Sequence, residues 1–387
     1  MKKLAITSAV LSTLCGLSSV AYAQSSITLY GIVDTGIEYV NRVSNASGAG
    51  SLLRMQTYGG LYASRWGLQG QEDLGDGLQS FFTLESGFTP NNGALASTQL
   101  FNRLAYLGLK KTGIGQISFG RQYTSAYENM WMFMPFWTGV TFEPAITAGG
   151  GSYMEDNMVK YTGDFSGLHV TTHYSFGTGF PYQGAQVSTI PEGSVPGNSR
   201  AQSAFGIGSA YYGASFGVAA GYDETHPTFS ATSPIGKAQI AFLAASYTVG
   251  SAKFMGGYRW RNSKFGNDVT SIRDNFYWAG MTYSITPAAG LTAGYYYDQV
   301  KGASLLPTIP ATSLPNFSQV SLMATYFLSK RTTVYVATAY AHNGPVNYDT
   351  LLQTGTAYGY GNPTTSNGLA NGQKGQVAVA TGLQVMF

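Results

Sequence analysis

Apolar and polar positions alternate along this chain in short runs and do not recur at helical spacing. The final run places Val377, Val379, Leu383, Val385 and Phe387 on one face, because successive strand side chains point to opposite faces. Between Ser64 and Asp73, Trp66 and Leu68 fall on one face and Arg65, Gln69 and Gln71 on the other. Near 252–262, Phe254, Tyr258 and Trp260 oppose Lys253, Arg259 and Arg261. Extended over the chain, the pattern predicts sixteen strands. They run near 26–41, 64–74, 78–88, 102–110, 116–123, 157–163, 168–177, 203–212, 215–224, 237–248, 252–262, 273–285, 291–301, 317–328, 332–342 and 374–387.

The connections alternate in length. Leu74-Gly-Asp-Gly77, Lys111-Thr-Gly-Ile-Gly115 and Gly163-Asp-Phe-Ser-Gly167 are Gly- and Asp-rich hairpin turns. The others are long, near 42–63, 89–101, 124–156, 178–202, 225–236, 302–316 and 343–373. Tyr161, Tyr212, Tyr247, Tyr283 and Tyr326 each end a strand just before a tight turn. Tyrosines at one height form an interfacial girdle, with the ring in lipid and the hydroxyl among headgroups.

Composition explains why the alternation is needed. Charged residues make up only 10% of the 387-residue chain, beside 28 Tyr, 21 Phe and 50 Gly, the last well above the average of about 7%. After residue 23, no segment is apolar enough to cross a bilayer as a helix. A closed transmembrane sheet resolves this, since its outer wall meets lipid while its lumen stays polar. The predicted fold is therefore all-β, a 16-stranded antiparallel transmembrane β-barrel. Short turns are expected on the periplasmic side and long loops outside.

Residues 1–23 carry Lys2 and Lys3, an uncharged run from Leu4 to Val20, and Ala21-Tyr-Ala23. This is the pattern of a secretory signal peptide, leaving 24–387 as the barrel. The single cysteine, Cys15, lies in that leader, so no disulfide is expected. Removing Lys2 and Lys3 lowers the formal charge from +3 to +1, which gives no reason to expect a nucleic-acid partner.

Several segments then carry a family resemblance. They are Thr28-Leu-Tyr-Gly-Ile-Val-Asp34, Ser64-Arg-Trp-Gly-Leu-Gln-Gly-Gln-Glu-Asp-Leu-Gly75, Asn102-Arg-Leu-Ala-Tyr-Leu-Gly-Leu-Lys110, Phe119-Gly-Arg-Gln-Tyr123 and Tyr326-Phe-Leu-Ser-Lys-Arg-Thr332. In this order they resemble the trimeric general-diffusion porins of the Gram-negative outer membrane. The resemblance implies a homotrimer that passes small hydrophilic solutes and ions, with outer-membrane lipid and the barrel-assembly machinery as partners. It implies no cofactor and no enzyme activity. Phe387 matches the terminal aromatic that signals barrel insertion.

The resemblance also implies that the third external loop, Thr124–Asp156, folds into the barrel and narrows it. Arg65 and Arg103 match arginines of the facing wall, and Arg121 matches one near the subunit interface, where a structural ion pair is the alternative. Glu128, Met132, Phe136 and Trp137 then fall at the constriction with Gln69, which stands where many relatives carry a base. Met154 or a neighbour replaces a third wall arginine, and Gln384 a base near the C-terminus. The run Met132-Phe-Met-Pro-Phe-Trp137 lacks the acid found after the loop proline of relatives. Its aromatics either pack the loop against the wall or stand in the throat. The expected selectivity is weakly anionic.

Other chemistry is thinly represented. Gly213-Ala-Ser-Phe-Gly217 matches G-x-S-x-G but falls between two strands, not on a strand-to-helix elbow. His169 and His173 lie four apart on one strand, about 13 Å, which is wide for one metal ion. They are expected to line the lumen, and no metal site is expected. A barrel acting mainly as an adhesin or structural anchor, through loops such as 343–373, is the alternative function.

Overall fold

The computed structural model describes residues 26–45, 47–137, 142–144, 153–179, 195–228, 233–304, 306–346, 369–370 and 372–387. The expected leader, 1–23, lies outside them, as does most of loop 343–373. The strands are β1 (Ser26–Asn45), β2 (Gly48–Met55), β3 (Arg65–Gly75), β4 (Leu78–Thr89), β5 (Ala94–Leu95), β6 (Leu104–Lys111), β7 (Gly115–Tyr123), β8 (Met154–Phe165) and β9 (Leu168–Ser175). They continue with β10 (Ala204–Tyr212), β11 (Phe216–Thr225), β12 (Lys237–Val249), β13 (Ala252–Lys264), β14 (Thr270–Thr286), β15 (Ala289–Ala303), β16 (Phe317–Phe327), β17 (Thr332–His342) and β18 (Gly375–Met386). One helix, α1 (Ser125–Met130), and a 3₁₀ turn, Trp131–Phe133, follow β7.

These strands form sixteen staves of one antiparallel sheet. β2 and β3 are two halves of one stave: β1 pairs with β3 through Leu29↔Leu68 and with β2 through Tyr39↔Leu53. β5 is a two-residue ribbon folded back on β4. The sheet closes where β1 meets β18, with Val33 opposite Val385 and Tyr39 opposite Val379. At the seam Gly31 and Phe387 exchange backbone hydrogen bonds, each 3.0 Å. Closure leaves no unpaired edge in lipid, the condition for a sheet to cross a membrane.

Strand bounds shift by a few residues, and two of the differences bear on the loops. β2 lies inside the expected connection 42–63, because the chain turns at Gly48 (φ +118°) and pairs back on β1 before leaving the wall. β8 begins at Met154, so the third loop ends earlier than Asp156. The tight turns behave as predicted: Gly75, Asp76 and Gly77 all have positive φ, the backbone hand that matches hairpin twist.

The two faces of the wall are sorted in the opposite sense to a soluble protein. Leu29, Leu107, Leu243, Val320, Leu322 and Val336 are exposed, whereas Glu38, Lys160, Arg259, Asp274 and Gln319 are buried. A contiguous apolar belt of this kind requires lipid, not water. The girdle tyrosines Tyr212, Tyr247, Tyr283 and Tyr326 are exposed at the tight-turn end. Leu68 faces outward beside Leu29, its cross-strand partner.

Candidate functional site

The segment after β7 turns into the barrel and is held there by wall side chains. The backbone N–H of Ser125 donates to His173 Nδ1 (3.1 Å), and that of Ala126 to Asp223 Oδ1 (3.1 Å). Asn129 Nδ2 donates to Thr171 Oγ1 (2.8 Å). Trp278 Nε1 donates to the Phe133 carbonyl (2.9 Å). Glu143 Oε1 accepts from Phe136 N–H (3.0 Å) and from the Tyr296 hydroxyl (2.7 Å). Farther round, Gln319 Nε2 and Ser321 Oγ donate to the Phe142 carbonyl at 2.7 and 2.6 Å. These partners sit on β9, β11, β14, β15 and β16, on the face opposite the exposed apolar belt. Each satisfies a loop polar group that would otherwise be buried unpaired.

Apolar packing reinforces the bonds. Phe133, Met134 and Phe136 are buried with Phe242, Phe276, Trp278 and Tyr296. Phe276 lies 6.0 Å from Trp278 and 6.4 Å from Tyr296 between ring centroids. Phe142 joins a second cluster with Val40, Phe317, Ala339 and Ala378 across the lumen. Phe136 is therefore a packing residue, 6% exposed. Met132 is half-buried against the same cluster. Trp137 is different: it is 41% exposed, with a positive φ of 50°.

Glu128, on α1, contacts Lys160 on β8 and lies 3.7 Å from His169 on β9. Burial acts to raise the Glu128 carboxyl, but Lys160 and then His169 override it and hold it low, at about 2. His169 and His173 thus brace the inserted segment. His173 also lies 2.8 Å from Ser125 Oγ and 3.4 Å from Glu155 Oε2. This serine–histidine–carboxylate set is wholly buried, and its geometry anchors the first turn of α1.

On the wall beside α1, Arg65 and Arg103 come together around an acid that the sequence pattern did not single out. Glu85 lies between them, Oε2 at 3.2 Å from Arg65 Nε and Oε1 at 2.6 Å from Arg103 Nε. Tyr30 donates to Glu85 (3.1 Å), Arg103 donates to the Tyr123 hydroxyl (2.7 Å), and Arg65 covers the Tyr62 ring at 5.9 Å. Tyr123 stacks on Tyr127 of α1 (5.6 Å), joining the wall to the inserted helix. Gln69, lower on β3, is exposed. Glu85 precedes a Ser-Gly pair on β4 with no motif around it, so only its cross-strand register identifies it.

The remaining sequence candidates fall elsewhere. Arg121 forms an ion pair with Asp156 (2.6 Å) and donates to the Asn102 carbonyl (2.8 Å). Arg259 and Arg261 face inward as expected, but both are spent on buried Asp274. Gln384 donates to Asp34 (3.1 Å). Asp34, which closes the Thr28–Asp34 segment and carries no assigned role there, is a buried hub. It also accepts from Tyr335 (2.8 Å) and from the backbone N–H groups of Gly60, Leu61 and Tyr62 at 2.9, 2.8 and 3.0 Å. This pins the excursion 56–64 against the inner wall and places Tyr62 beneath Arg65.

Known proteins share this architecture. An outer membrane porin protein of Bordetella pertussis is 40% identical over 191 residues, 46% of this chain and about half (48%) of that relative. Outer membrane porin protein 32 of Delftia acidovorans is 29% identical over 354 residues, 89% of this chain and 90% of that one. Among solved structures, an anion-selective porin from Comamonas acidovorans superposes with a TM-score of 0.70 at 23% identity, covering 94% of this chain and all of that one. A family model described as Gram-negative porin matches residues 7–345. The closed sixteen-stave wall, the outward apolar belt and this match over most of the chain place the protein in the Gram-negative porin family.

Proposed function

We propose that the chain is an outer-membrane channel for passive diffusion of small hydrophilic solutes and ions, with a weak preference for anions. The observation that carries this is the inserted segment. Its backbone is bonded to β9, β11 and β14 inside the barrel and braced at Phe142 by β16 on the far wall. A loop so held narrows a lumen without closing a covalent or metal site, which is the geometry of a passive constriction. Arg65 and Arg103 against the single Glu85 leave a local excess of one positive charge. In a narrow, poorly screened throat that excess favours anions. The names of the relatives agree: one solved structure of this fold is an anion-selective porin.

Within this reading Arg65, Arg103, Gln69, Glu128 and Trp137 line the constriction, and Met132 and Phe136 hold the loop. Arg121 with Asp156 stiffens the base of the loop. Residues 1–23 are the exported leader, and three barrels form the working homotrimer. Liposome swelling tests the proposal. Vesicles carrying the protein should swell in isosmotic small sugars at a rate that falls with solute size. Swelling no faster than that of empty vesicles would favour the adhesin or anchor reading.

A further inference from the structure

The two wall arginines hold part of their hydrogen-bonding capacity in reserve. Arg65 donates from Nη1 to the Ala63 carbonyl (3.2 Å) and sets Nε on Glu85 (3.2 Å). Arg103 sets Nε on Glu85 (2.6 Å) and donates from Nη2 to the Tyr123 hydroxyl (2.7 Å). Arg65 Nη2 and Arg103 Nη1 have no hydrogen-bond partner among the described residues, and neither is a buried atom. Both nitrogens are therefore open to the lumen. Each belongs to a planar guanidinium that is always charged and suits a carboxylate.

The surroundings of these two nitrogens are aromatic. The Arg65 guanidinium lies over the Tyr62 ring at 5.9 Å. Tyr123, bonded to Arg103, stacks on Tyr127 (5.6 Å, 24° between ring planes), and Tyr127 packs against Tyr153 (5.1 Å, 38°). Tyr30 reaches Glu85 from β1 (3.1 Å). Its ring lies close over Gly67, where a Cβ would stand 2.7 Å from ring carbon Cζ, so the glycine makes room for the aromatic. Tyr62, Tyr123 and Tyr153 are only half-buried, which leaves part of each ring for a passing solute.

Charge sets what that solute carries. Arg65 and Arg103 against Glu85 leave one positive charge over, and a single carboxylate balances it. A second carboxylate on the same solute would bring a negative charge toward Glu85, where like charges repel. The site therefore suits a monoanion whose remaining bulk rests on the tyrosines. A flat aromatic ring meets an aromatic face in offset or edge contact, which a puckered aliphatic ring of equal size does not.

We propose that this part of the lumen is a transient binding site for planar aromatic monocarboxylates. The carboxylate accepts from Arg65 Nη2 and Arg103 Nη1, and the ring lies against Tyr62 and Tyr123. The assignment rests on the channel reading and narrows its solute from anions in general to one class. The arginines draw in any anion, and the tyrosines rank the anions that arrive. Glu85 offsets half of the arginine charge, which keeps the hold loose enough for release.

The test is single-channel recording in potassium chloride at neutral pH, with benzoate, cyclohexanecarboxylate or terephthalate added at equal concentration. Apparent affinity is read from the loss of chloride current. Benzoate should bind about threefold to tenfold more tightly than cyclohexanecarboxylate, its match in charge and carbon number, and more tightly than the dianion terephthalate. Tyr62→Leu should roughly halve the benzoate advantage or remove it, while Tyr62→Phe, which keeps the ring, should preserve it. Tyr62 is tied to Asp34 through its backbone N–H, so both variants retain that anchor. Tyr295→Leu, at an exposed position on the lipid face, should also preserve the advantage. A conducting wild type that holds benzoate no more tightly than cyclohexanecarboxylate, or less tightly than terephthalate, overturns the inference and leaves the channel reading standing. So does an advantage that survives Tyr62→Leu in full or falls equally in Tyr295→Leu. A barrel that inserts without conducting steps overturns both.

Discussion

Arg103 Nε lies 2.6 Å from Glu85 Oε1, while the other oxygen of the same carboxylate stands 3.2 Å from Arg65. One acid therefore holds two wall arginines in register and offsets half their charge. The expected selectivity of the channel is set by this trio.

Changing Glu85 to Gln should strengthen anion preference, because it removes the carboxylate paired with both arginines while keeping the acceptor for Tyr30. Replacing Arg65 and Arg103 by Gln should do the reverse and favour cations. Both are read as shifts of reversal potential in a salt gradient. Shifts of the same sign in the two variants would show that the trio does not govern the passage of ions.

Phe136 and Trp137 are neighbours with opposite expected effects. Phe136→Glu places a charge in the cluster of Phe242, Phe276 and Tyr296, so it should release the inserted segment. Protease sensitivity and current noise should rise. Trp137→Glu, at an exposed position, should leave the loop in place and move selectivity toward cations. A clean selectivity shift in Phe136→Glu without loosening would return that ring to the throat.

Much of the barrel is legible from alternation, because each stave repeats the same two-residue rule and most tight turns are marked by glycine. The sixteen staves follow from it, with bounds shifted by a few residues. β2 escapes because its eight residues pair back on β1 straight after the turn at Gly48, and the excursion 56–64 that separates it from β3 is held by Asp34 and Ser64, thirty residues apart. The site is legible only where charge sits alone on the inner face, as with Arg65 and Arg103. Glu85 and Asp34 act through partners that are distant in the chain; nothing local marks Glu85, and the segment that ends at Asp34 does not disclose its partners. The aromatics of the inserted segment were visible as a cluster, but burial alone separates Phe136 from Trp137.

Asp34→Ala should destabilise the barrel strongly, since five donors lose their shared acceptor. Each buried group left unpaired costs about 1–3 kcal/mol. Tyr335→Phe removes one donor and should cost about 1 kcal/mol. Urea midpoints of the protein in lipid vesicles order the two. Equal midpoints would mean that the excursion 56–64 is held by other contacts.

Acid should loosen the inserted helix only at low pH. The Glu128 carboxyl is held below its ordinary value, at about 2, so its contribution is fully present above the ordinary carboxylate range. It is lost as pH falls through the folded value. Current noise should rise as pH falls toward 2, and Glu128→Gln should remove that low-pH step. Loosening already complete near pH 5 would contradict the assigned ion pair with Lys160.

The central claim is that a water-filled passage runs beside the inserted segment and carries ions passively. Single-channel recording in a planar bilayer tests it most directly. The account predicts stable steps, ohmic current that grows with salt concentration, and a reversal potential on the anion side that moves further that way in Glu85→Gln. A protein that inserts as a heat-modifiable barrel yet gives no conducting steps, or passes cations preferentially with Arg65 and Arg103 intact, would contradict it.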